Sequence, residues 1–132
     1  MSGAHQSQIR VNEEEAVKNL NAIAAAERSY QSLGGRGSYG GWEDIERAGL
    51  VNERQVAAFG YKFTVVAIRA RFEVFADPDE YGSTGYRSFY LSSEDFKPRG
   101  ADKQGGDASF EDRPVPPSGL PGGYRTGYGS TP

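Results

Sequence analysis

Between Asn12 and Leu33 the apolar residues Ala16, Val17, Leu20, Ile23, Ala24 and Tyr30 recur every three or four positions, with Ala22, Ala25 and Ala26 between them. That period lines them along one face of an α-helix, and alanine adds the strongest intrinsic helix preference. A stripe of this length must be covered by a second layer of structure, so the rest of the chain has to supply a complementary apolar face. Asn12 is predicted as the N-cap, with Glu15 three residues on as its capping-box partner and Glu13, Glu14 and Glu15 at the positive end of the helix dipole. Gly34 and Gly35 stop the helix. Ile9 and Val11 extend the stripe upstream, so an earlier start is expected if the native chain is longer.

The stretch GGRGSYGG that follows has too much backbone freedom for a helix or strand and reads as a loop, with Tyr39 pinning it. A short helical turn is expected over 42–48, with Trp42 and Ile45 on one face and Gly49 as its stop. Residues 61–69 (YKFTVVAIR) and 71–76 (RFEVFA) are rich in β-branched and aromatic residues that alternate with period two, as half-buried strands do. The connection between them is too short for a crossover helix, so the pair is antiparallel. DPDEYGSTG is dense in turn formers, YRSFYL makes a third strand over 86–91, and a short fourth strand is expected over 95–97.

Beyond Pro98, Gly, Pro, Ser and Asp dominate without any apolar period. Such a segment buries too little apolar surface to offset its ordering entropy, so 100–132 is expected to be a disordered tail. Within it Tyr124 and Tyr128 lie in a near-repeat, GYRTGYG. The organisation predicted is a flexible leader over 1–10, one domain over 11–99 and the Gly/Pro-rich tail. Its fold class is α+β, a long N-terminal α-helix packed on a three- to four-stranded antiparallel β-meander.

Charge narrows the function. Fifteen basic and 18 acidic residues give a net charge of −3, mixed along the chain, and no basic stripe is present to neutralise a run of phosphates, so nucleic acid is not an expected partner. With no cysteine, thiolate metal sites and disulfides do not arise. No run of about 20 apolar residues is present, so no membrane contact is expected of the chain as written.

Four patterns invite chemistry. The carboxylates of Asp77, Asp79 and Glu80 are close enough in sequence to share a hard cation such as calcium, with Glu94 and Asp95 as a second acidic group across the sheet; a solvated hairpin turn accounts for the same residues. No pair of carboxylates is spaced for acid–base work, and Ser88, Ser92 and Ser93 lack a nucleophile elbow, with His5 expected to be solvated in the leader. An enzyme is therefore not expected. GGRGSYGG lacks the Lys and Ser/Thr of a phosphate-binding loop and follows a helix rather than a strand. Glu13, Glu14 and Glu15 would also suit a basic partner, although the helix dipole explains them without one.

Two segments carry a family resemblance. NEEEAVKNLNAIAAAERSYQS, through Asn12, Glu13, Ala16, Val17, Leu20, Glu27 and Tyr30, resembles the helix of many bacterial pilins. YGSTGYRSFYLSSEDFK, through Gly82, Gly85, Arg87 and Phe89, is similar to a strand of the same group, followed by an acidic turn and a last short strand. Their order resembles the globular head of type IV pilins and of the pseudopilins of type II secretion, over about residues 11–99. The apolar N-terminal helix of that family and its prepilin peptidase site are missing here, as is the cysteine pair that closes the C-terminal loop of many pilins.

The resemblance implies a head that is a packing unit: a subunit of a filament for adhesion, motility or secretion, in the periplasm or at the cell surface, whose partners are other pilin-like subunits. A full-length form would be anchored in the membrane before assembly. No cofactor is expected; the resemblance leaves calcium as an option, since major pseudopilins carry a structural calcium near the C-terminal loop, but the ligand pattern here matches that site poorly. The alternative expectation is a soluble extracytoplasmic module that binds glycan by stacking on Tyr39, Trp42, Tyr81 and Tyr86.

Overall fold

A computed structural model describes residues 3–116. The expected α+β architecture is present: a 31-residue helix, α1 (Gly3–Leu33), lies on a four-stranded antiparallel sheet of β1 (Tyr61–Ile68), β2 (Arg71–Pro78), β3 (Arg87–Ser92) and β4 (Arg99–Asp102), in the order β1-β2-β3-β4. Between α1 and β1 come α2 (Trp42–Arg47), α3 (Glu53–Val56) and a 3-10 turn (Ala57–Phe59).

The helix stripe and the strand alternation meet in one core. Ala16, Leu20 and Ile23 of α1 are fully buried against Phe72, Val74 and Ala76 of β2 and Phe89 and Leu91 of β3, with Ile45 of α2 and Val56 of α3 closing the open end. Each fully buried aliphatic side chain of this kind contributes about 2 kcal/mol relative to exposure. Neighbours pair with Val65 opposite Val74, Ala76 opposite Phe89 and Phe89 opposite Gly100, so the inward residues of adjacent strands stand side by side.

Four expectations are corrected. The helix starts by Gly3, not at Asn12, so it runs through most of the expected leader; Ile9 is buried, and Asn12 to Glu15 lie inside the helix, far from its dipole end. Asp77 and Pro78 belong to β2 rather than to the following turn. The fourth strand is Arg99–Asp102, because Phe96 takes a left-handed conformation (φ 57°) and turns the chain back along β3 four residues later than expected. Finally, order continues past 100: Gly100 N donates to Arg113 O at 3.0 Å, Val115 N donates to Pro98 O at 2.8 Å, and Ala108 is buried. A polar framework holds this segment where apolar content is thin, with Lys103 on Asp112 at 3.1 Å and the Asp112 carboxylate accepting from Ser109 N at 2.8 Å. The near-repeat with Tyr124 and Tyr128 lies outside the described residues.

Both outer edges of the sheet are partly covered. At β1, Tyr39 N donates to Arg69 O at 2.7 Å and Trp42 Nε1 donates to Phe63 O at 3.0 Å, so the glycine-rich loop runs beside the strand. At β4 the 113–115 segment does the same. Unpaired strand edges template aggregation, and both are blunted here by the chain itself.

Candidate functional site

Glu13 sits on the buried face of α1 at the level of the β2–β3 connection. Its Oε1 accepts from Arg87 Nε at 3.0 Å, and its Oε2 accepts from the backbone N–H groups of Tyr86 (2.9 Å) and Arg87 (3.0 Å). One turn earlier, Gln8 donates to Asn12 Oδ1 at 2.9 Å, and Asn12 Nδ2 donates to Thr84 O at 3.0 Å. His5 lies near the Gly82 carbonyl, 3.5 Å from its ring nitrogen, rather than in solvent as expected. The turn 82–87 therefore presents carbonyls to His5 and Asn12 and amides to Glu13 along α1.

Tyr61 completes this junction from β1. Its hydroxyl donates to Arg87 O, and burial, reinforced by the charge of Glu13, pushes the phenol far above its ordinary range, so it stays a donor. Gly85 passes against this ring so closely that a Cβ there would lie 2.6 Å from Tyr61 Cζ. Glycine is required at 85 by contact, not by backbone conformation.

The residues behind the family resemblance thus fall into two groups in space. Asn12, Glu13, Gly85 and Arg87 meet at the junction, with Gly82 in its turn. Ala16, Val17, Leu20 and Phe89 are core. Glu27 and Tyr30 act at the far end of α1, under the glycine-rich loop. There Glu27 is fully buried; its Oε1 accepts from Gly40 N at 2.9 Å and its Oε2 has no hydrogen-bond partner. Burial, opposed by the Gly40 N–H and aided by Asp44, pushes its carboxyl up to about 7.

The acidic turn does not gather. Asp79 and Glu80 are exposed, whereas Asp77 is half-buried on β2. The Asp77 carboxyl is pushed up to about 7, first by burial and then by a hydrogen bond and repulsion from Asp107, with Ser88 and Lys62 acting in the opposite direction. Buried Asp77 Oδ1 and Ser88 Oγ make no well-formed hydrogen bond. Asp95 of the second acidic group is taken by Arg99 at 2.6 Å. Among the described residues no three His, Cys, Asp or Glu side chains are placed to hold a metal ion, so the candidate carboxylates Asp77, Asp79 and Glu80 form no common site.

The serines and aromatics are likewise accounted for locally. Ser88 is buried, Ser92 Oγ accepts from Glu94 N at 3.1 Å, and Ser93 Oγ accepts from Phe72 N at 3.0 Å. Tyr39 packs edge-on against Phe72 at 4.7 Å and Trp42 is held at the β1 edge, while Tyr81 and Tyr86 form a separate edge-to-face pair at 5.9 Å with the Tyr81 hydroxyl on Asp102. The four rings do not make one stacking surface. Reasoning from sequence marked Glu13 and Arg87 separately but missed their pairing, and it missed Asp107 altogether; the charge of Glu13 within a run of three acids carried no signal of its partner.

No protein-family model, curated protein or solved structure matches this chain.

Proposed function

We propose that this domain is a structural subunit of a type IV pilus-like or pseudopilus-like filament, working by assembly with like subunits outside the cytoplasm rather than by turnover. The observation that carries the reading is the junction of Glu13 with Arg87: the two segments that resemble pilin sequences touch through these residues, although they lie 74 positions apart. A long helix clamped to a meander by such a junction is a rigid body suited to display on a shaft. One feature agrees with this: the helix continues upstream of Asn12, and Val11 and Leu33 lie exposed on it at 40% and 80%.

The deciding experiment is to characterise the native polypeptide by intact mass and to locate it by immunogold labelling. A native form carrying about 20 apolar residues ahead of Ile9, recovered in sheared surface filaments or with the secretion apparatus, is the expected result. A native form without such a segment, recovered free in solution, overturns the reading.

A further inference from the structure

On the sheet face turned away from α1, at the end where β1 turns into β2, lies a groove of about 240 Å³ lined by Val66, Ile68, Phe72, Glu73, Tyr90 and Glu94. Its rim is apolar and exposed, with Val66 at 41% and Ile68 at 65%. Its polar wall is acidic. Glu73, whose Oε2 accepts from the Tyr90 hydroxyl at 2.6 Å, and Glu94 outweigh Arg71.

The described chain ends at the same end of the sheet as this groove, on the face that bears α1. From Arg113 to Val115 it runs antiparallel to β4, with Arg113 beside Gly100 and Val115 beside Pro98, and Val115 packs on the core together with Phe96. Phe96 in turn stacks edge-on against Phe72 at 5.3 Å. The residues that precede Phe96, Ser92 to Glu94, already line the groove. Residues 117–132 span about 50 Å when extended, against about 10 Å between packed layers of structure. Among them Arg125 is the single charged residue, flanked by Leu120, Tyr124 and Tyr128. Tyrosine on β-branched side chains and arginine on carboxylates are the complements of Val66 and Ile68 and of Glu73 and Glu94.

We propose that the segment around Tyr124, Arg125 and Tyr128 binds back into this groove in the same chain, covering Val66 and Ile68. The tether favours its own chain over a second copy, because it holds the segment at high effective concentration. The proposal stands whether or not the domain assembles into filaments.

The cysteine-free sequence makes the test clean. In the full-length chain, Arg71→Cys in the groove wall is combined with Thr126→Cys, and Lys18→Cys with Thr126→Cys serves as the control on the exposed side of α1; circular dichroism checks that each variant is folded. Under mild oxidation of dilute protein, the Arg71 pair is expected to close an intramolecular disulfide roughly tenfold faster than the control, and adding Glu73→Lys with Glu94→Lys should bring the rate back toward it. Equal rates for the two pairs overturn the proposal. So does a disulfide that forms only between chains and quickens with protein concentration, which would assign the groove to a second copy.

Discussion

Glu13 of α1 closes a three-way clamp on Arg87 of β3, taking the guanidinium at 3.0 Å through one oxygen and the Tyr86 and Arg87 amides through the other. The carboxylate is mostly buried, with its side chain 11% exposed against 43% for Arg87. The two partners are therefore not equivalent.

Removing Glu13 strands two backbone donors, whereas removing Arg87 leaves a carboxylate that still accepts both amides. Glu13→Ala is expected to cost about 2–3 kcal/mol and Arg87→Ala about 1 kcal/mol. Urea denaturation of the two variants checks the order; equal losses would show that the backbone contacts carry little.

Stability should depend on pH in the acid-to-neutral range. Glu27 is raised from 4.5 to about 7 and Asp77 from 3.8 to about 7. Between the unfolded and folded values the native chain holds protons that the unfolded chain has released. Folding is thus favoured at the acid end, and stability falls as pH rises toward 7. The urea midpoint should drop between about pH 4 and about pH 7 and level off above. Glu27→Gln, which keeps an acceptor for Gly40 N and carries no charge, should flatten the profile, and Asp77→Asn should remove most of the remaining slope.

Gly85 and Tyr61 should behave as one unit. A Cβ at 85 collides with the Tyr61 ring, so Gly85→Ala is expected to cost about 1–3 kcal/mol. Tyr61→Phe gives up one hydrogen bond at about 1 kcal/mol but removes the atom nearest that Cβ. The double variant should lose less than the sum of the two, measured by thermal unfolding.

Trp42 protects an edge. Trp42→Phe frees Phe63 O and is expected to cost about 1 kcal/mol, with greater self-association on sedimentation than the parent chain shows. A variant that stays as monodisperse as the parent would mean that the Tyr39 contact suffices.

Legibility followed the range of the interactions. The apolar stripe of α1 and the alternation of β1 to β3 were visible because helix and strand impose their own periods on core residues near in sequence, and Gly49 stops α2 by its left-handed backbone (φ 76°). The start of α1 was misread for a definite reason. Asn12 and three glutamates look like a cap when read locally, yet Asn12 and Glu13 are polar residues on the buried face, satisfied by Thr84, Tyr86 and Arg87. The place of β4 and the ordered path of 103–116 were invisible because Arg99–Asp102 has no strand composition and is held by pairing with Arg87 to Tyr90 on one side and 113–115 on the other.

What the sequence by itself determined is the layered α+β design, since amphipathic period is a property of neighbouring residues. Tertiary structure decided which polar groups are buried and with what. It turned Glu13 from a helix-dipole residue into the tie between α1 and β3, raised Glu27 and Asp77 by withdrawing them from water, and dispersed the acidic turn that looked like a cation site. A carboxylate's role depends on the donors and the dielectric around it, and here these come from residues about 13 to 74 positions away, beyond the reach of any local pattern.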